Sequence, residues 1–152
     1  MPQISSQRFG PLELDSNAVL EFPAGLPGFE GQTRFLLVED RATAPIVFLQ
    51  SCSASELCFL AAPLAAIDDA YQLAITPEDL HRLGLDENRQ PRMNEEVLCL
   101  AILSAPEDGP LTANLLAPAV INLVNRKAVQ AVRADSRYSH RHPLAPREAP
   151  CS

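Results

Sequence analysis

Ala18-Val19-Leu20-Glu21-Phe22-Pro23-Ala24-Gly25-Leu26-Pro27-Gly28-Phe29-Glu30 joins a short strand-like run to two proline-glycine turns set between aromatic residues. Proline fixes φ near the turn value and removes a backbone donor, while glycine permits positive φ, so residues 22–30 specify a rigid double bend. Such a loop must either bury Leu26 and Phe29 in the domain's own core or offer them to a partner. Outward from this bend the same alternation of short apolar run and turn repeats. It recurs at Leu12–Leu14, Arg34–Glu39, Ile46–Gln50, Leu57–Ala61, Tyr71–Ile75, Val97–Leu103, Leu111–Leu116, Val120–Val124 and Val129–Val132. Most of the 14 prolines fall between the runs, where turns and strand edges tolerate them. This pattern predicts an all-β, mainly antiparallel, barrel-like domain over residues 1–144, with a flexible tail at 145–152.

One helix interrupts the strands. Thr76-Pro77-Glu78-Asp79-Leu80-His81-Arg82-Leu83-Gly84 supplies an N-cap threonine, proline at the first helical position, acids in the first turn and a glycine stop. A short helix is expected near residues 77–83, with Asp79 approximating a capping box.

At 152 residues, 47% hydrophobic and 20% charged, the chain can bury a core without metal or disulfide support. No apolar run reaches the roughly 20 residues of a membrane helix, and the N-terminus lacks the layout of a signal peptide. The expectation is a cytoplasmic protein with no membrane partner. Cys52, Cys58, Cys99 and Cys151 form no C-x-x-C pair, so no zinc site is expected. Cys58 and Cys99 lie within apolar runs and read as core thiols, and Cys151 as the accessible one.

The net charge of −7 is unevenly distributed. Through Asn125 there are 6 arginines against 17 acids, and from Arg126 onward 6 basic residues against 2 acids. An acidic body disfavours direct nucleic-acid binding and suits docking on a basic protein. Among paired acids, Asp68-Asp69 stands out because Tyr71 places an amphipathic ring beside it. Asn114 and Asn122 punctuate apolar runs and read as carboxamides tying strands to loops.

Motifs for chemistry are absent: there is no G-x-S-x-G, no glycine-rich phosphate loop and no H-E-x-x-H. His140-Arg141-His142 reads as a solvated cationic strip rather than a metal pair. No cofactor, metal or catalytic residue is assigned. Two rival readings are a nucleic-acid-binding β-barrel, which lacks tryptophan and a basic groove, and a small hydrolase built on Ser51 or Cys52 with a C-terminal histidine.

Several segments in order resemble the FliW family of flagellar assembly factors. They are Arg8-Phe9-Gly10, Phe22 to Glu30, Leu49-Gln50-Ser51, Thr112 to Pro118 running on to Asn125-Arg126-Lys127, and Tyr138 with Arg141-His142-Pro143-Leu144. The resemblance spans about Gln3 to Leu144. It implies a cytoplasmic, non-enzymatic regulator that binds the translational repressor CsrA, relieves its repression of flagellin synthesis, and binds flagellin. Carried over, it gives a partner-binding set of Leu26, Phe29, Glu30, Gln50, Asp68, Asp69 and Tyr71. The chain departs from the family pattern at Leu57-Cys58-Phe59-Leu60 and Ala62-Pro63-Leu64-Ala65-Ala66, which is smaller and less polar.

Overall fold

In a computed structural model, residues 2–144 are described. The tail expected at 145–152, and Cys151 with it, lies outside them. Among the described residues there are eleven strands: β1 (Gln3–Ser6), β2 (Gly10–Glu13), β3 (Val19–Glu21), β4 (Arg34–Glu39), β5 (Val47–Ser51), β6 (Cys58–Pro63), β7 (Val97–Ser104), β8 (Thr112–Ala113), β9 (Ala119–Asn122), β10 (Ala128–Gln130) and β11 (His142–Pro143). Two α-helices, α1 (Leu64–Ile67) and α2 (Pro77–Leu83), and one 3-10 turn (Arg41–Thr43) join them.

The main sheet runs β10-β9-β7-β6-β5-β4-β3, all antiparallel, with β8 and then β11 added where β7 leaves β9. It rolls until its two edges meet at one parallel bridge, Glu21 to Lys127, where the Glu21 N–H donates to the Arg126 carbonyl at 3.0 Å. The edge strands are three residues each, so one bridge is all they make, and the barrel-like roll stays open rather than closing.

Alternation along the strands sends side chains to two faces. Leu20, Phe35, Leu49, Ala61, Leu100, Ile121 and Ala128, one from each strand of the roll, meet inside it together with Phe22 and Leu26. The opposite face of β7 carries Val97, Cys99, Ala101 and Leu103 into a second cluster with Leu64 of α1, Leu80 and Leu83 of α2, Tyr71 and Ile75. A third, small cluster lies under the β1-β2 hairpin, where Ile4 meets Val19 and Leu36. Because both faces are covered, β7 is apolar along nearly its whole length. Burial pushes the Cys99 thiol up to about 12, so the group is neutral.

Helix α2 forms where its capping residues place it. The Thr76 hydroxyl accepts from the Asp79 N–H at 3.2 Å, and Gly84 ends the helix at φ +77°. The Gly84 N–H reaches the His81 carbonyl and the Leu85 N–H the Leu80 carbonyl, a Schellman closure. The capping box is only half made, since the Asp79 carboxylate accepts instead from Arg82 at 3.0 Å. Helix α1 was not legible: its N-cap, Pro63, offers no side-chain hydrogen bond, and burial of Leu64 holds it.

One expected strand is absent and others are cut short. Tyr71–Ile75 is irregular because side chains replace a strand partner. The Gln90 carboxamide accepts from the Ile75 N–H at 2.8 Å and donates to its carbonyl at 3.0 Å, and the Tyr138 hydroxyl accepts from the Gln72 N–H. The Leu111–Leu116 run shrinks to Thr112–Ala113, because Asn114 Oδ1 turns the chain by accepting from the Leu116 and Ala117 amides. Asn122 is buried and ties β9 to the end of helix α2 rather than to a loop, donating to the Leu83 carbonyl at 2.8 Å.

Ahead of β7, Arg89 grips Glu96 with two hydrogen bonds of 2.9 and 2.7 Å, and the Arg92 N–H adds a third at 3.0 Å. The Arg89 guanidinium foremost, then the Arg92 amide, lowers the Glu96 carboxyl from 4.5 to about 2. A carboxylate whose folded pKa is depressed stabilises the fold above its ordinary value and loses that contribution as pH falls through the folded value. Arg89→Met is therefore expected to return Glu96 towards 4.5 and to flatten the loss of stability between pH 4.5 and 2. NMR titration of the Glu96 carboxyl alongside acid unfolding curves checks both; an unchanged Glu96 midpoint would refute the assignment.

Candidate functional site

The double bend folds back on itself through three successive turns. The Gly25, Phe29 and Gln32 N–H groups donate to the carbonyls of Phe22, Leu26 and Phe29 at 2.7, 2.7 and 2.9 Å. The Glu30 carboxylate closes the second turn by accepting from the Gly28 N–H at 2.8 Å. Of the loop's two large side chains, Leu26 is buried inside the roll. Phe29 stays 42% exposed and rests edge-on against Phe59, with ring centroids 5.4 Å apart. The loop thus buries Leu26 in the domain's own core and leaves Phe29 partly exposed. Phe29→Ala is expected to cost only about 1 kcal/mol, from part of one ring's burial and one edge-to-face pair. Thermal unfolding reads this, and a collapse of the fold would show the ring to be a core plug.

Gln50 and Tyr71 are buried and hold structure. Gln50 Oε1 accepts from the Ser6 hydroxyl at 2.8 Å, and its Nε2 faces the carbonyls of Ser51, Ala54, Ser55 and Leu57 at 3.1–3.3 Å. The Tyr71 hydroxyl donates to the Leu115 carbonyl at 2.7 Å, and its ring stacks on Tyr138 with centroids 4.2 Å apart. Burial raises the Tyr71 phenol, opposed by its hydrogen bond from Arg133. Asp68 Oδ1 accepts from the Ala70 N–H, and Asp69 is exposed. Of the seven predicted positions, Phe29, Glu30 and Asp69 are therefore exposed and Asp68 is half-buried, while Leu26, Gln50 and Tyr71 work inside the domain.

Arg133 carries no local signal in the sequence. Its guanidinium is buried over the rings of Tyr71 and Tyr138, 5.4 and 4.8 Å from their centroids, and donates to Asp135 at 2.8 and 3.0 Å and to the Gln72 carbonyl. The Arg133 hydrogen bond is the main cause holding Asp135 below the usual carboxylate range. The arrangement straps the C-terminal segment to the irregular 68–75 stretch, and only the tyrosines at 71 and 138 hint at it in the sequence.

A further surface opens on the interior of the roll. Across the adjacent strands β4, β5, β6 and β7, Leu37, Val47, Pro63, Leu98 and Leu100 floor a groove of about 470 Å³, walled by Pro45 and Ile46. Glu39, Asp40 and Arg41 form its charged rim. The sequence shows Leu37, Ile46, Val47, Leu98 and Leu100 as strand-forming but not that part of the sheet's interior face is left uncovered.

Ser51 is buried, and its hydroxyl donates to Gln32 Oε1 at 2.6 Å while accepting from the Ser53 and Ala54 amides. That bonding fits a turn-closing hydroxyl rather than a nucleophile, which needs a base in reach. No group of three or more metal-ligating side chains is found among the described residues, and no helix there is long and apolar enough to cross a membrane.

Residues 3–144 match the family model described as FliW protein. The flagellar assembly factor FliW of Syntrophomonas wolfei is 36% identical over 143 residues, covering 93% of this chain and 88% of the relative. That of Leptospira biflexa is 33% identical over 140 residues, covering 91% and 88%. A crystal structure of the flagellar assembly factor FliW superposes with a TM-score of 0.81 at 26% identity, over 95% of this chain and 98% of that one. With sequence and fold agreeing along almost the entire described length, the chain belongs to the FliW family of flagellar assembly factors.

Proposed function

We propose that this chain is a cytoplasmic, non-enzymatic protein-binding regulator that captures CsrA, relieving its repression of flagellin synthesis, and also binds flagellin. Family membership over residues 3–144 carries the reading. The excess of 11 negative charges through Asn125 supports it, because an acidic body complements a basic RNA-binding protein and speeds their encounter. Phe29, Glu30 and Asp69 are exposed and Asp68 is half-buried, so a partner could reach them with the domain folded.

The test is titration calorimetry and size-exclusion chromatography of the purified protein with CsrA and with flagellin of the same bacterium. A 1:1 complex with each protein is expected, together with release of CsrA from a leader RNA in a gel-shift assay. Absence of heat and of co-elution with both partners would overturn the reading.

A further inference from the structure

From the groove floored by Leu37, Val47, Leu98 and Leu100, we infer that it is the seat of a basic partner: a segment presenting aliphatic side chains on one face with lysine or arginine beside them. This rests on the protein-binding reading above and deepens it.

The groove lies across the central strands at one end of the roll, beside the terminal pairs Glu39–Val47 and Pro63–Leu100, and it leaves uncovered apolar surface that native packing usually avoids. Its four aliphatic floor residues come from three strands, and Leu37, Val47 and Leu98 are only half-buried although they pack against the interior cluster. At about 470 Å³ it has room for a few side chains, not a domain.

The rim selects the charge of the occupant. Glu39 and Asp40 are both exposed, and among the described residues neither is in an ion pair. Asp40 uses one oxygen, accepting from the Ala42 N–H at 2.9 Å, and Glu39 has no side-chain hydrogen bond there. Some acids elsewhere are held by arginines, as Asp79 is by Arg82, Glu96 by Arg89 and Asp135 by Arg133, and so face a partner with their charge already met. The groove thus joins uncovered apolar surface to two uncompensated carboxylates against one guanidinium, Arg41. A neutral apolar segment would fill the floor but leave both carboxylates facing it, whereas a basic one satisfies both features.

The experiment measures CsrA and flagellin binding by calorimetry for wild type, Glu39→Lys, Leu98→Lys and Val124→Ser. Val124 is 86% exposed on the β9–β10 turn, outside the groove, and serves as control. Glu39→Lys and Leu98→Lys are expected to weaken CsrA binding at least tenfold, with Val124→Ser within twofold of wild type. Should Leu98→Lys fail to fold by circular dichroism, Glu39→Lys, an exposed position, carries the test alone.

CsrA affinity within twofold of wild type in the folded groove variants overturns the inference and leaves the protein-binding reading intact. A wild type that binds neither partner removes both. Sedimentation velocity addresses another occupant: a concentration-dependent dimer abolished by Glu39→Lys would assign the groove to a second copy and overturn the inference as well.

Discussion

Gly25→Ala is expected to destabilise the domain by about 3 kcal/mol, lowering Tm by roughly 6–12 °C for a chain of this size. Two costs combine at this position. Gly25 sits at φ +67°, where an L side chain is strained by about 1 kcal/mol. A Cβ there would also stand 2.6 Å from both the Cα and the carbonyl oxygen of Glu30. Those are backbone atoms, so no rotamer change relieves the overlap, and the loop must open at its three turn hydrogen bonds. Opening would lift Leu26 from the interior cluster, which places the loss well above strain alone. Gly28 provides the comparison: its φ is +85°, but nothing lies within 4 Å of an added Cβ. Gly28→Ala should cost about 1 kcal/mol. Chemical denaturation of the two variants side by side separates close approach from backbone strain, and equal losses would refute the steric account.

The contrast between those glycines shows what a sequence can and cannot display. Proline and glycine at 23–28 signal a rigid turn through local chemistry, and Thr76, Pro77 and Gly84 signal helix α2 in the same way, because caps and turns are decided by adjacent residues. The alternating runs signal strands for a similar reason. What they do not carry is which partner each strand finds, so the open roll and the fork where β7 passes from β9 to β8 emerge only in three dimensions. Tyr71–Ile75 has strand composition, yet Gln90 and Tyr138, distant in sequence, occupy the backbone groups that a neighbouring strand would have used. Nothing local in the sequence marks Arg133, which is buried only because Tyr71 and Tyr138 close over it in the fold. The candidate set divides for the same reason. Leu26 and Phe29 belong to one motif three residues apart, but a single turn sends one inward and the other to the surface.

Gln50→Leu is expected to cost about 3 kcal/mol despite being close in volume and more apolar, because both ends of the carboxamide are hydrogen-bonded and leucine would leave those partners unpaired. Gln50 is fully buried in the middle of β5's outward face, beneath the β1-β2 hairpin. Its carbonyl oxygen receives the Ser6 hydroxyl, fastening the hairpin to the sheet. Its two amide hydrogens are shared among four carbonyls at Ser51, Ala54, Ser55 and Leu57, which organises the turn from β5 to β6. Leucine would strand these groups, each at roughly 1–3 kcal/mol if water cannot reach it. The turn carbonyls are partly wetted, which keeps the total below a simple sum. Gln50→Glu discriminates further: it preserves the acceptor for Ser6 but turns a carboxylate towards four carbonyl oxygens, and should be at least as damaging as leucine. Hydrogen exchange of the Gln7 amide, which bonds to the Ser55 carbonyl, reports whether hairpin and turn loosen together. Faster exchange there in both variants, ahead of global unfolding, is the expected result. Exchange unchanged at Gln7 with stability intact would show that Gln50 is not the fastening point. Any loss of partner binding in a folded Gln50 variant would then have to come from displacement of the hairpin, since the side chain itself has no surface to offer.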